Sequence, residues 1–98
     1  MTALEIAREI LKDCSHFSMS ARVKKHARWP ELKAMGDAAL PDLFVLLQEH
    51  GSAHVMTMIA NVASEQVFIP ESERGYIKAM VERFMTWGRY KGYVKTVS

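Results

Sequence analysis

Cysteine is nearly absent from this chain: Cys14 stands alone, so neither an internal disulfide nor a cysteine zinc cluster is available. Long apolar runs are missing as well. The longest is Leu43-Phe44-Val45-Leu46-Leu47, far short of the roughly 20 residues that cross a bilayer as a helix. The start, Met1-Thr2-Ala3-Leu4-Glu5, has no basic segment followed by an apolar one, so no signal peptide is expected. There is no Gly-rich phosphate loop, because Gly36, Gly51, Gly75, Gly88 and Gly92 are spaced as caps and turns. The serines between 15 and 20 lack a nucleophile-elbow context. What remains is a chain of 98 residues, 49% hydrophobic and 24% charged, the balance of one globular domain.

Acids are also missing from two stretches. Between Cys14 and Pro30 there are four bases, Arg22, Lys24, Lys25 and Arg28, and after Glu82 four more, Arg83, Arg89, Lys91 and Lys95. Acids gather instead at Glu5, Glu9 and Asp13, and between Glu65 and Glu73. Net charge is only +2. Basic patches attract phosphate backbones or acidic protein surfaces. Cations near helix C-termini serve equally well as dipole partners on a solvated face.

Helical spacing is the dominant pattern. Thr2 and Glu5 fit a capping box, and Leu4, Ala7, Leu11 and Cys14 form a stripe widened by Ile6 and Ile10. The serine-rich segment 15–20 ends this first helix. A second helical stretch is expected from about Ala21 to Met35, either kinked at Trp29-Pro30 or split, with Pro30 opening the second piece. Gly36 is a stop, and Asp37 is positioned to cap the next helix. The third helix, about Ala38 to His50 with Pro41 in its first turn, is apolar nearly all round and so central. A fourth is expected from Ala53 to Ala63. The connector from Ser64 to Pro70 carries Val67-Phe68-Ile69, which has the make-up of a short strand but no partner strand in the chain. It reads as an extended loop whose apolar tip packs on the helices. The last helix is expected to start near Pro70-Glu71, with acids in its first turn and Ile77, Met80, Val81 and Phe84, with Trp87 or Met85, facing inward. Gly88 and Gly92 are expected to weaken its end. The fold class is therefore all-α, about five helices in one domain of 1–98. Its parts are an N-terminal helix and loop (1–20), a helical core (21–93) and a frayed tail (94–98). Within the core, Ala21 to His50 has the form of one HEAT-type helical hairpin.

A family resemblance accompanies this pattern. It is carried by His26-Ala27-Arg28-Trp29, Leu32, Met35-Gly36, Ala39-Leu40-Pro41, Leu43, His54, Ile59, Pro70-Glu71, Arg74-Gly75, Ile77, Met80, Trp87-Gly88-Arg89 and Gly92-Tyr93. Over residues 26–93 the chain resembles a family of small bacterial and phage-borne HEAT-like proteins of unassigned function. It departs from that pattern at Ala27, where a proline is usual, and at Val55, where a tryptophan usually follows the histidine. The resemblance implies a HEAT-like fold and a mobile-element setting in a bacterial host, and it implies no activity.

Reactive chemistry finds little support in the residues. His50 and His54 share a helical spacing, but Gly51-Ser52 falls between them and no His-Glu-x-x-His occurs. His16 and His26 are isolated, and His54 reads as a partly buried ring hydrogen-bonded near a helix start. Cys14 lies on an apolar stripe and acts as a small hydrophobe. Glu71 and Glu73 look like first-turn acids rather than an acid–base couple. No catalytic residue, metal or cofactor is expected. The seven methionines fall mostly at core spacing. The most suggestive group is Trp87, Arg89, Tyr90, Lys91 and Tyr93, since aromatics and arginine dominate interface hot spots. The alternative role for Trp87 and Tyr93 is to pin the last helix to the core. The expectation is a non-enzymatic, cytoplasmic module that docks on a host protein through this group. The alternative is a nucleic-acid accessory or regulatory protein that uses Arg22, Lys24, Lys25 and Arg28. Self-association through surplus apolar surface on the fourth helix is a further expectation.

Overall fold

Thr2 opens the first helix as a capping residue should. In the computed structural model, which describes residues 2–94, helix α1 runs Ala3–Cys14. The Thr2 side chain accepts from the Glu5 N–H at 3.2 Å, and Glu5 reaches back to the Thr2 N–H at 3.3 Å. A second orphan donor, the Leu4 N–H, goes to Asp42 Oδ2 at 3.1 Å. The N-terminus of α1 is thereby tied to Asp42, far along the chain, as well as capped.

The stretch around Pro30 is split, not kinked. Ser20–Lys25 forms a 3₁₀ turn, His26 leaves the helical region, and α2 then runs Trp29–Met35 with Pro30 in its first turn. There the missing N–H costs nothing, because first-turn donors have no intrahelical acceptor. A second 3₁₀ turn, Gly36–Ala39, leads into α3, Leu40–His50, which carries Pro41 in the same position. Helix α3 is capped by Gly51, and α4 comes next as Ala53–Val62, with Ser52 Oγ accepting from the His54 N–H at 3.0 Å.

The last helix departs from expectation. Glu71–Glu73 is a separate 3₁₀ turn, and α5 begins only at Ile77 and runs to Lys91. Its first turn holds no acid. The chain breaks at Gly75, whose φ is +90, and Glu73 is drawn to Arg83 instead of serving a helix start. Ile77 is 43% exposed, so it does not face inward, and Met85 is buried more deeply than Trp87.

The protein is all-helical, with no strand among the described residues. Helix α3 is central: Leu40, Leu43, Phe44, Leu46 and Leu47 are all buried, while Val45 emerges on the outer side. Helix α4 packs against α3 and the Ser20–Lys25 turn, α1 lies across α3 and α2, and α5 rests on α3 and α4. One apolar cluster joins all of these, and no polar or charged residue is buried among the described residues.

The end of α5 is held firmly, not weakened by its glycines. Gly92, at φ +84, turns the chain left-handed, so that the Tyr93 N–H donates to the Gly88 carbonyl at 2.8 Å and the Gly92 N–H to that of Arg89 at 3.1 Å. This is a Schellman closure, and the accompanying apolar contact is present, with the Tyr93 and Trp87 rings 5.8 Å apart. Gly88 lets α5 approach α3. A Cβ there would sit 2.8 Å from the Phe44 ring and 2.9 Å from Val94. Val94 is buried, against the expectation of fraying from 94 onward. The rest of that expected tail, 95–98, lies outside the described residues.

Candidate functional site

The acidic face of α1 is a set of ties to other elements. Arg8 makes a two-pronged pair with Glu49 of α3 at 2.8 and 2.9 Å. Arg28 bridges Glu9 at 2.7 Å and Glu31 at 2.9 Å, and His26 Nε2 meets Asp13 at 2.7 Å. The His26 Nδ1 accepts the Arg28 N–H at 3.0 Å, so Nε2 is the nitrogen that donates to Asp13. Hydrogen bonds from Arg8 hold the Glu49 carboxyl below its ordinary range.

These ties reshape the expected basic patch. Arg28 is spent on two carboxylates. Arg22 lies over the Phe17 ring, 4.3 Å from its centroid. Lys24 and Lys25 are exposed and make no ion pair among the described residues. The patch is left with three cations instead of four.

The C-terminal group divides similarly. Trp87 and Tyr93 turn toward Phe44, with ring centroids 6.1 and 6.3 Å away, the second pair stacked within 8°. Lys91 is paired with Glu65, whose hydrogen bond raises the lysine pKa. Arg89 and Tyr90 remain displayed, Tyr90 at 84% exposure. The five residues therefore do not form one surface. Two pin the helix, one ties it to the connector, and two face solvent.

The other singled-out groups are quickly placed. Cys14 is buried, and burial pushes its thiol pKa up, away from the reactive thiolate. The helix between His50 and His54 is broken at Gly51, and His50 lies 3.7 Å from Glu49. The expected ring hydrogen bond of His54 is absent: its Nε2 is buried without a partner among the described residues, and only its backbone N–H is capped. No group of three His, Cys, Asp or Glu residues comes together among the described residues. Asp37 does not cap the helix after it. Its carboxylate reaches the Ser64 hydroxyl at 2.6 Å and the Ser64 N–H at 2.8 Å, which lowers its pKa and anchors the connector after α4. Lys33 adds a second tie from α2 by donating to the Asn61 carbonyl.

That anchoring leads into a concavity. Beyond Ser64 the connector runs along α4 and α5 and encloses a groove of about 540 Å³. Ala53, Met56, Thr57 and Ala60 of α4 form one side, and Met80 and Phe84 of α5 another. Gln66, Val67, Phe68 and Ile69 form the third, and Arg74, Gly75 and Ser20 complete the lining. The Thr57 hydroxyl donates to Ser20 Oγ at 2.8 Å, joining two of these lining residues. Within the connector Val67 is 7% exposed, Ile69 is partly covered, and Phe68 is 76% exposed at the rim. The apolar tip thus only partly packs on the helices. A second depression of about 450 Å³, between α1 and the α3–α4 junction, is lined by Arg8, Lys12, Ser15, His50 and Ser52 with Leu11.

Sequence reasoning missed the groove as a site. Its one local signal is the Val67-Phe68-Ile69 run without a partner strand. Comparison with protein families, with characterised proteins and with solved structures finds no match. The family resemblance over residues 26–93 therefore rests on the quoted residues alone.

Proposed function

We propose that this protein is a non-enzymatic protein-binding module, and that the groove beside α4 is its docking site. The observation that supports this reading is an open, largely apolar concavity with an aromatic ring, Phe68, displayed at its rim. Aromatic anchors beside adaptable side chains are what binding surfaces use, and the partly buried Met80 supplies the adaptable part. Arg89 and Tyr90 are a separate, smaller candidate surface. In the HEAT-like, phage-borne setting that the resemblance implies, a module of this size acts in the bacterial cytoplasm by occupying a host protein stoichiometrically. Nucleic-acid binding has less in its favour, since Arg28 already holds two carboxylates.

A photo-reactive residue placed at Phe68, and separately at Tyr90, tests the reading. Cross-linking at 68 in bacterial lysate should give a discrete protein adduct that excess unlabelled chain removes. Adducts from 90 alone would move the site to the end of α5. No competed adduct at either position, together with a gel shift of DNA at low salt, would replace protein binding with nucleic-acid binding.

A further inference from the structure

The protein-binding reading leaves open what kind of segment fills the groove, and two observations beyond its apolar character bear on that. The first is backbone. Residues 66–69 are non-helical, and their side chains alternate in burial, with Val67 in, Phe68 out and Ile69 partly in, as in extended chain. No backbone hydrogen bond joins residues 66–69 to any other described residue. Val-Phe-Ile is strand-forming sequence, yet the fold contains no strand among the described residues to pair with it. The second observation is charge. Arg74 is the sole charged residue lining the groove, and it makes no ion pair among the described residues. Its neighbour Glu73 does not neutralise it, because Arg83 holds that carboxylate at 2.9 and 2.7 Å.

We infer that the groove takes an extended segment of a partner protein, which pairs as a strand with residues 66–69 and places a carboxylate against Arg74. This rests on the protein-binding reading and specifies the partner's segment. A docked helix satisfies its own backbone and would leave 66–69 unpaired. A small apolar acid would meet Arg74 but not the backbone. Strand addition uses both features, with main-chain bonds supplying affinity and the groove sorting alternate side chains. The small residues Ala53 and Ala60 on α4 leave room for a chain lying alongside.

The test uses the full chain and a displayed library of random linear dodecapeptides. Enriched peptides should share an acidic residue within an alternating apolar pattern. Added to isotope-labelled protein, a synthetic copy should shift the amide signals of 66–69 and slow their hydrogen exchange. Arg74→Glu, a change on the groove's rim, should weaken that peptide about tenfold or more, and Arg74→Lys should keep most of the binding. Methylating alternate peptide nitrogens should abolish binding. Binders that are helical when bound, binders indifferent to Arg74→Glu, or no enrichment at all would overturn the inference. So would decanoate competing as well as peptide, or 66–69 becoming protected with rising protein concentration alone. A competed cross-link at Phe68 alongside any of these would still leave the protein-binding reading standing, whereas adducts at Tyr90 without any at Phe68 would remove the groove as its site and this inference with it.

Discussion

Replacing Gly88 with alanine tests the close approach of α5 to α3. The new methyl would lie 2.8 Å from both Cε1 and Cζ of Phe44 and 2.9 Å from Cγ2 of Val94. Ordinary carbon contacts begin near about 3.5 Å, so two neighbours must each retreat by several tenths of an ångström. Neither has room to do so. Phe44 is 1% exposed and is flanked by the rings of Trp87 and Tyr93, while Val94 is buried at the helix closure. Overpacking of this kind costs about 1–3 kcal/mol. Alanine returns at most about 0.5–1 kcal/mol of helix propensity, and less near a helix end. The net expectation is a loss of about 1–2 kcal/mol. In a domain of this size that lowers the melting temperature by roughly 4–16 °C. Urea titration should show a lower midpoint with an unchanged slope. Phe44→Leu made together with Gly88→Ala should cost less than the sum of the two single changes, because the crowding ring is gone. A Gly88→Ala variant as stable as the parent, or more so, would refute the argument that glycine is required by contact with Phe44.

Other outcomes rest on the same kinds of contact. Thr2→Ala should cost about 0.5–2 kcal/mol in urea titration by opening the capping box of α1. Leu43→Ala should cost about 2–5 kcal/mol, since its side chain is fully buried in the central helix. Stability should fall in acid: Glu5, Asp37, Glu49 and Glu73 are all held below the ordinary values of 4.5 for Glu and 3.8 for Asp. Over that range the unfolded chain binds more protons than the folded one. The contribution is complete above those ordinary values and is lost as pH drops through the lower folded ones. Asp37→Ala, compared with the parent in urea at pH 7 and pH 3, should therefore lose stability mainly at the higher pH. Arg89→Ala should leave melting unchanged, and unchanged cross-linking at Phe68 would separate that surface from the groove.

What could be read in advance was local. Thr2 and Glu5 lie three residues apart, and their capping box needs nothing beyond the first turn. Pro30 and Pro41 admit only a first-turn position in a regular helix, and both α2 and α3 begin accordingly. Gly51-Ser52 separates α3 from α4 by the same logic. Most of the misreadings involve partners beyond the local turn. Asp37 has the profile of a helix cap, but Ser64 claims it from 27 positions away. Glu71 and Glu73 resemble first-turn acids, yet Arg83 competes for Glu73 and Gly75 interrupts the chain. Gly88 and Gly92 are poor helix formers by propensity. Only the Phe44 ring and the turn back to Tyr93 explain their presence. The groove was out of reach for the same reason, because its walls come from α4, α5 and the connector.

The two tryptophans sit on different helices. Trp29 opens α2 and is 8% exposed, whereas Trp87 on α5 is half-covered beside Tyr93. Each of these helices thus carries its own built-in fluorophore, the first shielded from water and the second partly wetted. Selective replacement of either indole turns the protein into a single-channel optical gauge, able to follow detachment of the last helix separately from melting around α2.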